Sequence, residues 1–289
     1  MRASADQIDE IVSGCYVYGI VADPCDPPPR DPIGRGVDPD NPVYCVAHGD
    51  IRAVVSDASL GEFGEEALDT NLRDVDWLAA KARAHHDVLQ MLSTARTVVP
   101  MRFCTIYSSG CRVQEMLSEH YDDFVGALAR LEGKQEWGVK VYCMPEVLRG
   151  QAGQLSDIVK SLNSELADKS DAASYFLKKK IDNTVLAEEE RITDEVVQDS
   201  HDCLSMRSWE ALAGSVQGRE VTRREEDMVL NGAYLVSREC VEAFKAELDD
   251  LRKKYGGLGF SYEISGPWPP YSFAGSAFGK GSVDEPVCA

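Results

Sequence analysis

Seven prolines and two glycines fall between residues 23 and 42, and no helix or interior strand can run through them. That stretch reads as a long exposed loop. It separates Cys15 to Val21 (CYVYGIV), a strand-like run of aromatic and β-branched residues, from a second apolar run that begins at Val43. Val43 to Ala47, the turn-like His48-Gly49-Asp50 and Ile51 to Ser56 make a β-hairpin the economical reading. Helical spacing follows. Val75, Leu78, Ala82, Leu89 and Leu92 share one face, and Asp74 and Asp76 stand at the end where the helix dipole favours carboxylates. Val98 to Tyr107 (VVPMRFCTIY) returns to strand character, with Pro100 marking an edge or a bulge. Val113, Met116, Leu117, Tyr121, Phe124, Leu128 and Leu131 then form a second amphipathic stripe. These signals predict a first domain over residues 1–132, of order β-β-α-β-α, carrying the proline-rich loop 23–42.

A second domain, residues 133–265, opens with the strand Glu136 to Met144 (EWGVKVYCM), which Pro145 follows. From Leu155 to about Gly214 the pattern is mostly helical and highly charged. Leu155, Ile158, Val159, Leu162 and Leu166 come first, and a longer run starts at Ala172. Lys178-Lys179-Lys180 and the run EEER at 188–191 belong on solvated helix faces. Strand-like pieces lie at Glu220 to Thr222 and Val229 to Val236, although Asn231-Gly232 also fits a hairpin turn. Ser237 suits the cap of a helix whose inner face is Val241, Phe244, Leu248, Leu251 and Tyr255, ended by Gly256-Gly257. Leu258 to Ile264 is the last strand. The order βαββαβ is that of a ferredoxin-like sandwich with an enlarged first helical segment, which makes the expected fold class α+β with two domains.

The chain's 289 residues exceed the size at which single cores tend to split, roughly 250. Its 30 Lys and Arg against 49 Asp and Glu give a net charge of −19, so phosphate backbones and anionic lipid surfaces are repelled. No nucleic-acid or membrane partner is expected. No apolar stretch is long enough to cross a bilayer and the first dozen residues lack a secretory signal's apolar core, which points to the cytoplasm. Nine scattered cysteines, never spaced C-x-x-C, read as reduced structural residues rather than as a disulfide framework or zinc cage.

Catalytic signatures are missing. The chain has no G-x-G-x-x-G after a strand, no P-loop and no G-x-S-x-G elbow. Gly256-Gly257-Leu258-Gly259 follows a helix and precedes a strand, the wrong order for holding phosphate at a helix N-terminus. His85 and His86 point about 100° apart on a helix and cannot share a metal, and His86 reads as a packed or rim residue. No catalytic, cofactor-binding or metal-binding residue is nominated, and no enzyme activity or cofactor is expected.

The feature that resists a purely structural reading is Ser265 to Phe273, SGPWPPYSF. Its prolines force an extended course, so 266–289 is expected to be an extended Trp/Pro-rich tail. Trp268, Pro269, Pro270, Tyr271 and Phe273 are the candidate partner-binding residues. The rings either fold back onto their own domain or anchor a partner protein, and both can hold.

These residues also carry a family resemblance. SYEISGPWPPYSF resembles the C-terminal signature of the GvpF/GvpL gas vesicle proteins. YVYGIV at 16–21, AVVS at 53–56, VVPMRFCTIY at 98–107, EWGVKVY at 136–142, SYFLKKK at 174–180 and NGAYLV at 231–236 occur in that family's order and rough spacing, over about 15–273. The family usually has Gly where Cys104 stands, and the loop 23–42 looks like an insertion. The resemblance implies a two-domain α+β protein with a modified ferredoxin fold, a gas vesicle assembly factor or minor structural protein that needs no cofactor. Its implied partners are the small hydrophobic shell protein and other accessory proteins. The alternative is a ferredoxin-like protein that binds a small molecule or catalyses an unknown reaction.

Overall fold

The computed structural model describes residues 13–22, 35–166 and 171–275. Most of the proline-rich loop, Cys25, Cys288 and the tail after 275 lie outside the described residues. The described chain forms two compact units. One comprises residues 13–22, 35–133 and 268–275, and the other is Lys134–Pro267.

In the first unit, β1 (Ser13–Ala22), β2 (Val43–His48) and β3 (Ile51–Ser59) precede two short helices, α1 (Leu60–Phe63) and α2 (Glu65–Asn71), and the long α3 (Val75–Ala95). The strand and the hairpin read before the first long helix are all present, which makes three strands there, one more than the order β-β-α-β-α counts. The expected single strand 98–107 is two, β4 (Val98–Pro100) and β5 (Ile106–Tyr107), and α4 (Gly110–Glu119) and α5 (Tyr121–Leu131) follow. The break has a local cause, because Cys104 sits in the left-handed region with φ 61°. The sheet order is β2-β3-β1-β4, with β5 also paired to β1, and these pairings are antiparallel. The eight residues from Gly14 to Val21 of β1 are all buried, as both faces of this central strand are covered. Leu89 and Leu92 of α3 pack with Tyr16 and Tyr18. Full burial of one such side chain contributes ~1.5–3 kcal/mol.

Asp74 caps α3 through its carboxylate, which accepts from the Asp76 and Trp77 amides at 3.0 and 3.1 Å. Within the described end of the proline-rich loop Arg35, Pro39, Asp40 and Pro42 are exposed as expected, but Gly36 and Val37 are buried. The Val37 amide donates to the Tyr18 hydroxyl at 2.8 Å and its carbonyl accepts from Lys81 Nζ at 2.9 Å.

The second unit runs β6 (Lys134–Cys143), α6 (Pro145–Leu155), α7 (Asp157–Leu166), α8 (Asp171–Met206), β7 (Glu210–Ala213), α9 (Arg219–Thr222), β8 (Asp227–Ser237), α10 (Val241–Tyr255) and β9 (Phe260–Trp268). Its sheet order is β7-β8-β6-β9. Trp137, Val139, Val141 and Cys143 alternate along β6 onto the core face and meet Ile192, Val196 and Leu204 of α8 and Phe244, Leu248 and Leu251 of α10. Ser200 and His201 of α8 hydrogen bond to the Tyr262 and Tyr234 hydroxyls at 2.8 and 3.1 Å.

Several local expectations are corrected. Glu220 to Thr222 lies in the helical turn α9, and the strand is Glu210–Ala213, within the stretch expected to be helical. Glu-Ala-Leu-Ala favours a helix on its own, but pairing with β8 overrides that preference. Asn231-Gly232 is interior to β8, not a turn. Pro145 starts a helix, at the position where its missing amide is harmless. Ser237 makes no side-chain cap, and the left-handed residue after α10 is Gly259 (φ 93°) rather than Gly256 or Gly257.

Candidate functional site

The C-terminal signature divides between the two units. β9 is an edge strand and so accommodates Pro267. Trp268 onward belongs to the first unit, and the extended course ends at Pro270, after which Tyr271–Ala274 form the single helical turn α11. Pro270 makes that turn possible, its carbonyl accepting from the Phe273 and Ala274 amides at 3.2 and 3.0 Å. The Arg130 guanidinium of α5 donates to the Phe273 carbonyl.

The five candidate residues separate by burial. Phe273 is 2% exposed, and Pro269 and Pro270 are buried with it. Trp268 and Tyr271 are each 39% exposed. Between them stands His86 of α3. Its Nδ1 lies 3.0 Å from the Tyr271 hydroxyl, and its ring centroid lies 5.4 Å from that of Trp268 and 6.1 Å from that of Tyr271. The structure thus gathers two exposed aromatic rings and an imidazole from positions more than 180 residues apart in the chain.

His86 is a surface residue of this cluster, and its neighbour His85 is the packed one, 4% exposed. The helical stripe contained this answer, because position 85 falls three after Ala82 and four before Leu89. His85 Nδ1 lies 2.9 Å from the Tyr16 hydroxyl, which also accepts from the Cys104 amide at 3.0 Å. The Met101 carbonyl can only accept from the imidazole, which leaves Nδ1 of the neutral ring to accept from the Tyr16 O–H. The other imidazole nitrogen donates to the Met101 carbonyl, so the ring is neutral and fully bonded. Burial, helped by the charge of His86, lowers the His85 pKa to about 4, against the pull of the Met101 bond. Burial raises the Tyr16 phenol. The outer cluster therefore rests on a polar network that favours a neutral imidazole.

Among the described residues no group of three or more His, Cys, Asp or Glu is arranged to hold a metal ion, and no disulfide joins any of the seven described cysteines. No helix among them is long and apolar enough to cross a membrane. What the residues do build is a small aromatic surface fixed from below by buried prolines and Phe273.

Fold and site together define a mixed α/β protein of two units that displays a C-terminal aromatic patch on its N-terminal unit. The chain belongs to the family described as gas vesicle synthesis protein GvpL/GvpF, whose model matches residues 14–275. It is 32% identical over 270 residues to gas vesicle protein L of a Streptomyces species, covering 91% of this chain and 93% of that one. Gas vesicle protein F of the same species is 28% identical over 259 residues, covering 89% and 98%. The fold is similar to the crystal structure of GvpF from Anabaena, with a TM-score of 0.67 at 20% identity over 91% of this chain and 98% of that one. GvpF from Microcystis aeruginosa gives 0.61, also at 20% identity, over 90% and 98%.

Proposed function

We propose that this chain is a gas vesicle accessory protein without enzyme activity that binds the hydrophobic shell protein, and other accessory proteins, during vesicle nucleation or growth. It works in the cytoplasm, at the vesicle. The family match over residues 14–275 carries the vesicle role. The partner-binding reading rests on the pair Trp268 and Tyr271, two large rings left part-exposed on a rigid support. Shell subunits expose apolar surface before they polymerise, and such patches aggregate unless covered. A strongly acidic protein with aromatic anchors keeps them in solution. Pro269, Pro270 and Phe273 serve the same surface from beneath by holding the two rings in place.

The proposal extends to the architecture. The second unit is a modified ferredoxin-like domain, a reading supported by its βαββαβ order and the strand sequence β7-β8-β6-β9. Helices α6 to α8 are the enlargement. The Trp/Pro segment is a connector whose turn α11 serves the first domain.

Co-purification of the tagged full chain with co-expressed shell protein tests the function, with Trp268→Ala/Tyr271→Ala as the comparison. Capture that persists at 1 M salt is expected, because a Debye length of ~3 Å screens charge contacts there but not apolar ones. The double variant is expected to fold and to lose capture. A folded double variant that captures shell protein as the wild type does overturns the anchor role, and no capture by wild type overturns shell-protein binding.

A further inference from the structure

Strand β7 is the open edge of the second unit's sheet, since the strand order begins with it and its one partner among the described residues is β8. The register shows which backbone groups remain outside the ladder. Ala213 opposes Gly232, and the Gly214 amide donates to the Asn231 carbonyl at 2.7 Å. Gly214 and, two residues back, Leu212 therefore turn toward β8. In an antiparallel ladder the alternate residues, Ala211 and Ala213, direct their N–H and C=O groups away from the partner strand, to the open edge.

The chain entering, forming and leaving this strand carries exposed apolar side chains in close succession. Met206 is 77% exposed, Trp209 64%, Leu212 46% and Val216 54%. Lys134 Nζ sits 4.5 Å from the Trp209 ring centroid and leaves most of that side chain in solvent. Natural edge strands are normally protected by charge, proline or a covering element. Residues 210–213 (EALA) contain one charge and no proline.

We infer that the β7 edge is a strand-addition site, which takes an extended, apolar, non-acidic segment of the shell protein as a fifth strand on this sheet. Two observations select that occupant. Outward backbone groups at a two-residue period are satisfied by another extended chain, whereas a helix has no backbone groups to offer them. The net charge of −19 opposes an acidic segment, and opposes a second copy of this chain at the same edge. The inference rests on shell-protein binding and adds a second contact surface to the Trp268 and Tyr271 patch.

Ala213→Pro is the selective probe. It removes an outward amide without deleting a β7–β8 hydrogen bond, and edge strands accept proline at such positions. Amide hydrogen exchange of the full chain, with and without purified shell protein, is read at Ala211 and Ala213 alongside capture by wild type, Ala213→Pro and Leu212→Lys. New protection at both amides is expected. Capture should weaken roughly 5–10-fold in Ala213→Pro, the effect of one lost backbone hydrogen bond. Capture by wild type without new protection, and with Ala213→Pro binding equally well, overturns the strand-addition site while leaving shell-protein binding intact. No capture by wild type overturns both.

Discussion

The Tyr16–His85–Met101 network makes the first unit acid-sensitive, and the size of the effect can be worked out. An imidazole with a pKa near 6.5 in the unfolded chain and about 4 when folded binds its proton more readily unfolded, so acid favours unfolding. The stabilisation by the neutral ring is complete above pH 6.5 and is lost as the pH falls toward 4. Relative to pH 7.5, linkage gives a loss of about 1.3 kcal/mol at pH 5.5 and about 2.5 kcal/mol at pH 4.5. Carboxylates titrate in the same range, so the test needs a variant that lacks only the imidazole. His85→Gln accepts from Tyr16 and donates to Met101 as the neutral ring does, but cannot take up a proton. Urea unfolding of both proteins at pH 7.5 and 4.5, followed through the Trp77 indole N–H signal in NMR, reports on the first unit's core. The stability advantage of wild type over His85→Gln should shrink by about 2.5 kcal/mol between the two pH values. Parallel pH profiles would refute the claim that burial holds His85 neutral.

Two further substitutions test the backbone reading of the first unit. Cys104→Gly is expected to raise its stability by about 0.5–1 kcal/mol in the same assay, because a left-handed non-glycine residue costs ~1–2 kcal/mol and part of that gain is lost to glycine's larger unfolded-state freedom. Gly36→Ala should destabilise it by ~2–3 kcal/mol, because the new Cβ falls 2.1 Å from the Tyr18 hydroxyl and displaces a group bonded to Ser56 and the Val37 amide.

The sequence was most informative where one period ran unopposed. The α10 stripe, the CYVYGIV strand and the Asp74 end of α3 are found as read, because apolar periodicity and capping are local properties, while the α3 stripe loses its first member, Val75, which is 76% exposed at the helix start. It misled where tertiary pairing outweighed local preference. Residues 210–213 favour a helix and become a strand because β8 offers a ladder, while Glu220 to Thr222 finds no such partner and coils into α9. The split of 98–107 into two strands was signalled by one departure from the family pattern, Cys104 in a glycine position. The aromatic site was half legible. Proline spacing identified Trp268 and Tyr271, but nothing local announces that Phe273 is buried or that His86 lies between the two rings. Those facts depend on long-range contacts, Arg130 with Phe273 across 143 positions and His86 with Tyr271 across 185.

The two histidines connect this history to the proposed function. Adjacent on α3 and about 100° apart around it, they face different surroundings: His85 the network that joins β1, α3 and the Cys104 turn, and His86 the two exposed rings. The C-terminal signature uses the same division. Phe273 and the prolines take buried positions in the first unit, while Trp268 and Tyr271 remain on its surface. A substitution at Phe273 or His85 therefore acts on folding first, and any lost binding follows from that. Substitutions at Trp268, Tyr271 or His86 remove surface contacts while Phe273, Pro269 and Pro270 still hold the segment. The proposed binding and the stability of the unit can accordingly be tested separately, residue by residue, within a signature nine residues long.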